Sequence, residues 1–362
     1  MSNVIEYKDI MAFHPGCYIA EMIDDMGISQ EEFAARMGTS AKNISTLVNG
    51  QSNISNDMAK KLSIMTGTST ELWLNLQNTF DEKTIEIEKA KDYDRQRHIS
   101  SMIDYSYFVN NCGLEETKDP KVRISNLCKY FCISDLEILS KQDFLVSFRM
   151  SKTSLEIKNI INSRAWLQTA LNMTKDIETK PYDAKKLKHY LPELREMTIQ
   201  KPDVFLPRMK EIFSECGVAF VMLPHLKNSG VNGAVKWISK DRAVLAMSNR
   251  GLDADKFWFS LFHEIKHIFQ QKIKTVFIRC DENDMIDMNR AFEDEADKFA
   301  SNYLIPESLL DEFEPNRYKT DEEIKAFAEK IGIHPGIVAG RLQHDGIIPN
   351  NRCSKLKEKY IF

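Results

Sequence analysis

The sequence lacks what a cross-linked, membrane-spanning or fibrous chain would need. Cysteine is sparse and odd in number: Cys17, Cys112, Cys128, Cys132, Cys216, Cys280 and Cys353. Their irregular spacing argues against a disulfide framework and for a reducing, cytoplasmic setting. Cys128 and Cys132 stand four apart and could share an ion on a helix, but no second pair completes such a site, so buried free thiols are expected. No apolar run approaches the ~20 residues of a membrane span, and no membrane partner is expected. The start, MSNVIEYKDI, carries acidic residues and no apolar core, unlike a signal peptide. The 14 Gly and 11 Pro are too few for a fibrous or low-complexity chain. Neither sign of charge dominates: 49 Lys+Arg against 53 Asp+Glu gives a net charge of -4, so no global basic field exists to bind nucleic acid indiscriminately.

What is present fits a folded protein of several domains: 362 residues, 43% hydrophobic and 28% charged. The expected class is mainly α with a small α+β domain. Residues 1–80 read as short helices separated by Gly and Ser. Residues 81–204 read as longer helices, a connector that positions or covers a cleft. Residues 205–362 mix strands and helices. Charge varies locally: residues 1–80 hold 5 Lys/Arg against 9 Asp/Glu, and residues 141–201 hold 12 against 7. The basic middle reads as a solvated helix face or as a phosphate- or partner-facing surface.

In the third region, Gly217 to Leu223 is a short apolar run closed by Pro224, a strand. Asn232-Gly233 signals a turn. Ala234–Ile238 and Ala243–Met247 read as two further strands around Lys240-Asp241. Asp253 or Asp255 can cap a helix whose body is Lys256 to Gln270. That helix carries His263-Glu264-Ile265-Lys266-His267, an HExxH, which puts both imidazoles on one face where they can bind one ion. Neutral imidazole suits Zn²⁺, and Glu264 is placed to take a proton from a water that such an ion acidifies. The helix is apolar nearly all round, so it should be buried, and two buried histidines need partners. A third ligand must come from elsewhere. In the segment Glu293 to Ala300, a helix would put Glu293, Ala296, Asp297 and Ala300 on one face and Glu295 with Phe299 on another. The small residues allow close packing, so Glu293 is the expected third ligand. Asp297 would hold the other N–H of a liganding histidine, and Glu295 would be peripheral. His225, Arg279 and several tyrosines are candidates for stabilising an oxyanion, and the sequence does not choose among them.

His263-Glu264-x-x-His267, then Glu293-x-x-Ala296-Asp297-x-Phe299-Ala300 and Tyr303-Leu304-Ile305-Pro306, resembles the ImmA/IrrE-type metallopeptidases over roughly residues 205–306. The tail, with Ile333 to Val338 and Gly340 to Gln343, looks like the ending of longer members. The resemblance implies a gluzincin-like core, two His ligands and one Glu ligand, and the HExxH glutamate as general base. It also implies a protein substrate, since family members cut transcriptional repressors.

At the other end, Ser29 caps a helix with Glu32 at the capping-box position. Phe33, Ala34 and Met37 form its buried side, and Gly38 ends it. Ser40 caps a second helix, with Ile44, Leu47 and Val48 inward and Lys42, Asn43, Ser45 and Thr46 outward. This is a helix-turn-helix, whose second helix can enter a major groove. Its polar residues suit base edges and phosphates, and Gln30 suits a phosphate. With His14-Pro15-Gly16, Val48-Asn49-Gly50 and Thr68 to Gln77, residues 14–80 resemble the HigA-type antitoxin and repressor domain. The resemblance implies binding of double-stranded operator DNA, usually as a homodimer. Two functions follow as expectations. The first is a DNA-binding regulator with a zinc endopeptidase domain that cleaves a repressor or toxin-system partner. The second is an antitoxin-like repressor whose peptidase-like domain is a silent sensor.

Overall fold

The computed structural model describes residues 3–141, 147–150, 157–250, 253–277, 282–313 and 319–360, with only the backbone described for 147–150, 271–277 and 282–290. Arg279, a candidate oxyanion residue, and Cys280 lie outside the described residues. Contacts divide the chain into two compact units, Met1–His98 and Ile99–Phe362. The fold is mainly α with small sheets.

The first unit opens with a hairpin of β1 (Val4–Tyr7) and β2 (Ile10–Phe13). The sequence reading expected only helices here. The turn places Lys8, not glycine, at φ 54°, so the usual Asn-Gly signal is missing. Four helices follow: α1 (Gly16–Met26), α2 (Gln30–Arg36), α3 (Ala41–Val48) and α4 (Asn56–Thr66). A long helix, α5 (Thr70–Met102), comes next, and the division between the units falls inside it.

The cap signals act as expected. The hydroxyl of Ser29 accepts the Glu32 N–H at 3.2 Å, and that of Ser40 accepts the Asn43 N–H at 3.2 Å. The Glu32 side chain pairs with Arg36 instead of closing the capping box. Phe33, Ala34, Met37, Ile44, Leu47 and Val48 join Ile19, Leu62 and Trp73 in one core. At Gly16 a Cβ would fall 2.0 Å from the Leu47 carbonyl oxygen, so glycine is what lets α1 approach α3. His14 is a helix-start residue: buried, its Nδ1 accepts the Gly16 N–H at 2.9 Å.

The second unit runs through α6 (Tyr105–Cys112), α7 (Pro120–Phe131), β3 (Ser147–Met150), α8 (Ile157–Met173), α9 (Ala184–Glu196) and α10 (Pro202–Glu215). Then come β4 (Val218–Leu223), β5 (Val231–Ser239), β6 (Arg242–Ser248), α11 (Ala254–Phe277) and α12 (Glu282–Leu304). The tail holds α13 (Glu307–Phe313), α14 (Asp321–Ile331) and α15 (Pro335–His344). The sheet order is β3-β5-β6-β4, with β4 parallel to β6 and the other pairs antiparallel. The middle of the chain thus supplies an edge strand as well as helices.

Three local expectations change. Asn232-Gly233 lies inside β5 rather than in a turn. A Cβ at Gly233 would sit 2.8 Å from Glu264 Cγ, so this glycine serves close packing of strand on helix. Cys132 is exposed, ending α7 at φ 55°, and Cys128 is half-buried, so the pair is not a buried one. The helix starting after Asp253 runs past Gln270 to Phe277.

One core fills the space between α9, α10, the sheet, α11 and the tail helices. Arg195 on α9 reaches into it. Its guanidinium donates to the Leu304 carbonyl at 2.9 Å, to the Tyr303 carbonyl at 3.1 Å and to the Ile331 carbonyl at 2.9 Å. These carbonyls at helix C-termini have no partner within their own helices. Among the described residues, no helix is long and apolar enough to cross a membrane.

Candidate metal centre

α11 and α12 place the chemistry. On α11, His263 and His267 follow each other by one turn and both are buried. On α12, Ala296 and Ala300 are fully buried. Those small side chains bring the two helices close, and Glu293 faces the histidines. Glu293 Oε2 lies 3.2 Å from His263 Nε2, and its Oε1 lies 3.3 Å from His267 Nε2. The two Nε2 atoms are 2.9 Å apart. Among the described residues these three form the one group of His, Cys, Asp or Glu whose ligand atoms converge, all within 4.8 Å of one another.

The second nitrogen of each ring is held from behind. His263 Nδ1 meets Asp297 Oδ1 at 2.9 Å, and His267 Nδ1 meets Gln270 Oε1 at 2.8 Å. A proton kept on each Nδ1 leaves each Nε2 lone pair facing the common centre. Gln270 was not anticipated from the sequence. The signal was available, since a polar residue three after the second histidine stays on the same face. Its amide donates to the Phe292 carbonyl at 3.0 Å and to Glu295 Oε2 at 2.7 Å. Glu295 also pairs with Lys266 at 2.8 Å, so it lies beside the centre and fixes Gln270.

Electrostatics follow the geometry. Burial alone would lower the pKa of His263, but the Asp297 and Glu293 carboxylates outweigh it and hold it up at about 9. Burial alone would raise that of Glu293, but the two imidazoles outweigh it and hold it down at about 2. Glu264 is fully buried next to Gly233. His225 is half-buried, its backbone N–H donating to Asn249 Oδ1 at 2.8 Å, and burial lowers the pKa of its ring.

In the first unit, Lys42 and Asn43 on α3 are exposed, as is Ser40, while Gln30, Ser45 and Thr46 are half-buried. The Thr46 hydroxyl donates to the Asn43 carbonyl at 3.0 Å, and the Asn43 amide donates to Thr39 at 3.1 Å.

A helix-turn-helix bundle in one unit, and an HExxH helix facing a carboxylate helix in the other, define a regulator joined to a metallopeptidase-like domain. Comparison with known proteins agrees. Residues 19–73 match the helix-turn-helix family model, and residues 221–343 match the IrrE N-terminal-like domain. An uncharacterized HTH-type transcriptional regulator of Escherichia coli, YddM, is 38% identical over 91 residues, covering 25% of this chain and 95% of that protein. A solved addiction-module antidote protein of the HigA family from Coxiella burnetii is 28% identical, covering 23% of this chain and 92% of its own, with a TM-score of 0.22. A Pseudomonas aeruginosa protein solved in complex with its operator DNA is 32% identical, covering 20% and 81%, with a TM-score of 0.20. Through its N-terminal part the chain belongs to the helix-turn-helix family of DNA-binding regulators, and its C-terminal part is an ImmA/IrrE-like domain.

Proposed function

We propose that this regulator is also a zinc-dependent endopeptidase that cuts a protein substrate, a repressor or a toxin-system partner, in the cytoplasm. The observation that carries this reading is the convergence of His263, His267 and Glu293 beside the buried carboxylate of Glu264. The donor set fits Zn²⁺: two imidazole nitrogens and a carboxylate, with both rings oriented from behind, would hold the ion with three protein ligands, the number a catalytic zinc site uses. When bound there, zinc would acidify a water and polarise the scissile carbonyl.

The remaining steps belong to the chain. Glu264, one residue after His263, accepts the proton of the attacking water and delivers it to the leaving amine. Asp297 and Gln270 keep the imidazoles from turning. Gly233 leaves room for the Glu264 side chain. On the DNA side, α3 presents Ser40, Lys42, Asn43, Ser45 and Thr46 to a major groove, Gln30 contacts a phosphate, and two copies bind a palindromic operator. The exposure of Lys42 and Asn43 supports this.

The test begins with the metal content of the purified protein, where one zinc per chain is expected. Wild type and Glu264→Gln are then incubated with a cell lysate, and new protein N-termini are mapped. The variant should keep its zinc and lose every cut. Identical N-termini from both proteins would end the peptidase reading.

A further inference from the structure

We propose that the outer edge of β5 is the docking edge for an extended peptide substrate, and that β3 fills it from within the chain, so that the substrate must displace β3. This rests on the peptidase reading above.

β5 is the strand against Glu264, and Gly233 is the point of approach. One edge of β5 is taken by β6, with Gly233 opposite Met247 and Ala234 opposite Ala246. The other edge is taken by β3, running antiparallel, with Ser147 opposite Val235, Phe148 opposite Ala234 and Met150 opposite Val231. β3 therefore crosses the stretch of β5 centred on Gly233. An extended peptide binds a sheet by adding its backbone to a free edge. Among the described residues, the edge of β5 not taken by β6 is already occupied by backbone of the same geometry.

The occupant is weakly held where it matters. β3 is four residues long. Its register with β5 shifts between Phe148 and Met150, so Asn232 and Gly233 together face Arg149. Such a bulge interrupts the hydrogen-bond ladder. On its inner side β5 pairs with β6 without a break from Gly233 to Trp237. A short strand with an interrupted ladder can leave without unfolding the sheet. Because β3 belongs to the same chain it competes intramolecularly, so a free peptide must outcompete an occupant that is always present. Withdrawal of β3, by a partner or a ligand, would then open the site.

The test uses the full chain in a Glu264→Gln background, so that bound peptide is not cut. Successive N–H groups of a strand point to opposite sides, so Ser147→Pro with Phe148→Pro removes at least one bond to β5 whichever residue donates it. The probe is a fluorescent synthetic peptide spanning residues 142–156, followed by anisotropy. The double-proline chain should bind it at least tenfold tighter than the chain with native β3. Equal binding, or loss of cooperative unfolding in the proline chain, would show β3 to be an ordinary structural strand and overturn the proposal. Native-state hydrogen exchange supplies a second arm that needs no variant. The amides of 147–150 should exchange by local opening, well before those of β6, and equal protection overturns the proposal. Neither arm reads zinc or cleavage, so the peptidase reading and this one fail separately.

Discussion

Gly233→Ala is the most direct probe of the space around Glu264. The added methyl carbon would sit 2.8 Å from Glu264 Cγ, 3.2 Å from its Oε1 and 3.0 Å from Met247 Sδ. Carbon atoms in ordinary contact are ~3.5–4.0 Å apart, so something must yield by about 0.7 Å or more. Backbone of α11 is poorly able to yield, because Phe262 and Ile265 on either side of Glu264 are fully buried in the core. The displacement falls on the Glu264 carboxylate. Overpacking of this kind costs about 1–3 kcal/mol, or a fall of several degrees in Tm for a unit of this size. Misplacing a reacting group by close to 1 Å costs about 100-fold in rate. His263, His267 and Glu293 are untouched, so under the proposed function metal content should stay at one per chain. The assay is cleavage rate of whichever substrate the N-terminal mapping identifies, alongside metal analysis and a melting curve. A variant with full zinc, lowered Tm and unchanged cleavage rate would refute Glu264 as the proton acceptor held in place by Gly233.

Asp297→Asn keeps the shape but weakens the orientation of His263, and zinc affinity measured by competition with a chelator should fall about 10–100-fold; unchanged affinity would mean that Asp297 only neighbours the site. Zinc loading should depend on pH, because the ion must displace the proton that His263 holds with a pKa of about 9. Apparent affinity should rise about tenfold per unit between roughly pH 7 and 8.5, and a flat profile contradicts the assignment. In the metal-free protein the same pair sets a stability window. The His263 contribution is full below its unfolded value of ~6.5 and is lost as pH rises through about 9. The Glu293 contribution is full above its unfolded value of about 4.5 and is lost as pH falls through about 2. Melting of the chelator-treated protein should therefore be highest between those two unfolded values. Lys42→Ala with Asn43→Ala should weaken operator binding in a gel shift by a factor on the order of 10 or more, the base-contact range being about 1–3 kcal/mol, while leaving Tm unchanged; equal shifts would remove α3 as the reading helix.

The parts legible in the sequence are those whose signals are local. Ser29, Gly38 and Ser40 punctuate α2 and α3 through hydrogen bonds within three residues, so the helix pair could be read directly. HExxH announces itself because both rings lie one turn apart on one helix. Glu293 and Asp297 could be chosen by face, since Ala296 and Ala300 mark the side that packs. What escaped depends on partners far along the chain. β3 owes its strand conformation to β5, more than eighty residues later, and nothing in its own four residues requires it. Asn232-Gly233 carries a turn signal that tertiary packing overrides, because the glycine is needed to admit Glu264. The first hairpin turns at Lys8 in a left-handed conformation that composition does not advertise.

Arg195 gives the centre a remote anchor. Glu293 travels with α12, and α12 ends where the Arg195 guanidinium grips the last carbonyls. A positive charge at that end also suits the helix dipole. The carboxylate that completes the triad is thus held in register by a residue roughly a hundred positions upstream, acting along the axis of a rod. On the proposed reading, ion affinity would gauge how firmly that far end is clamped, and a substitution at 195 would reach the three converging side chains without touching them.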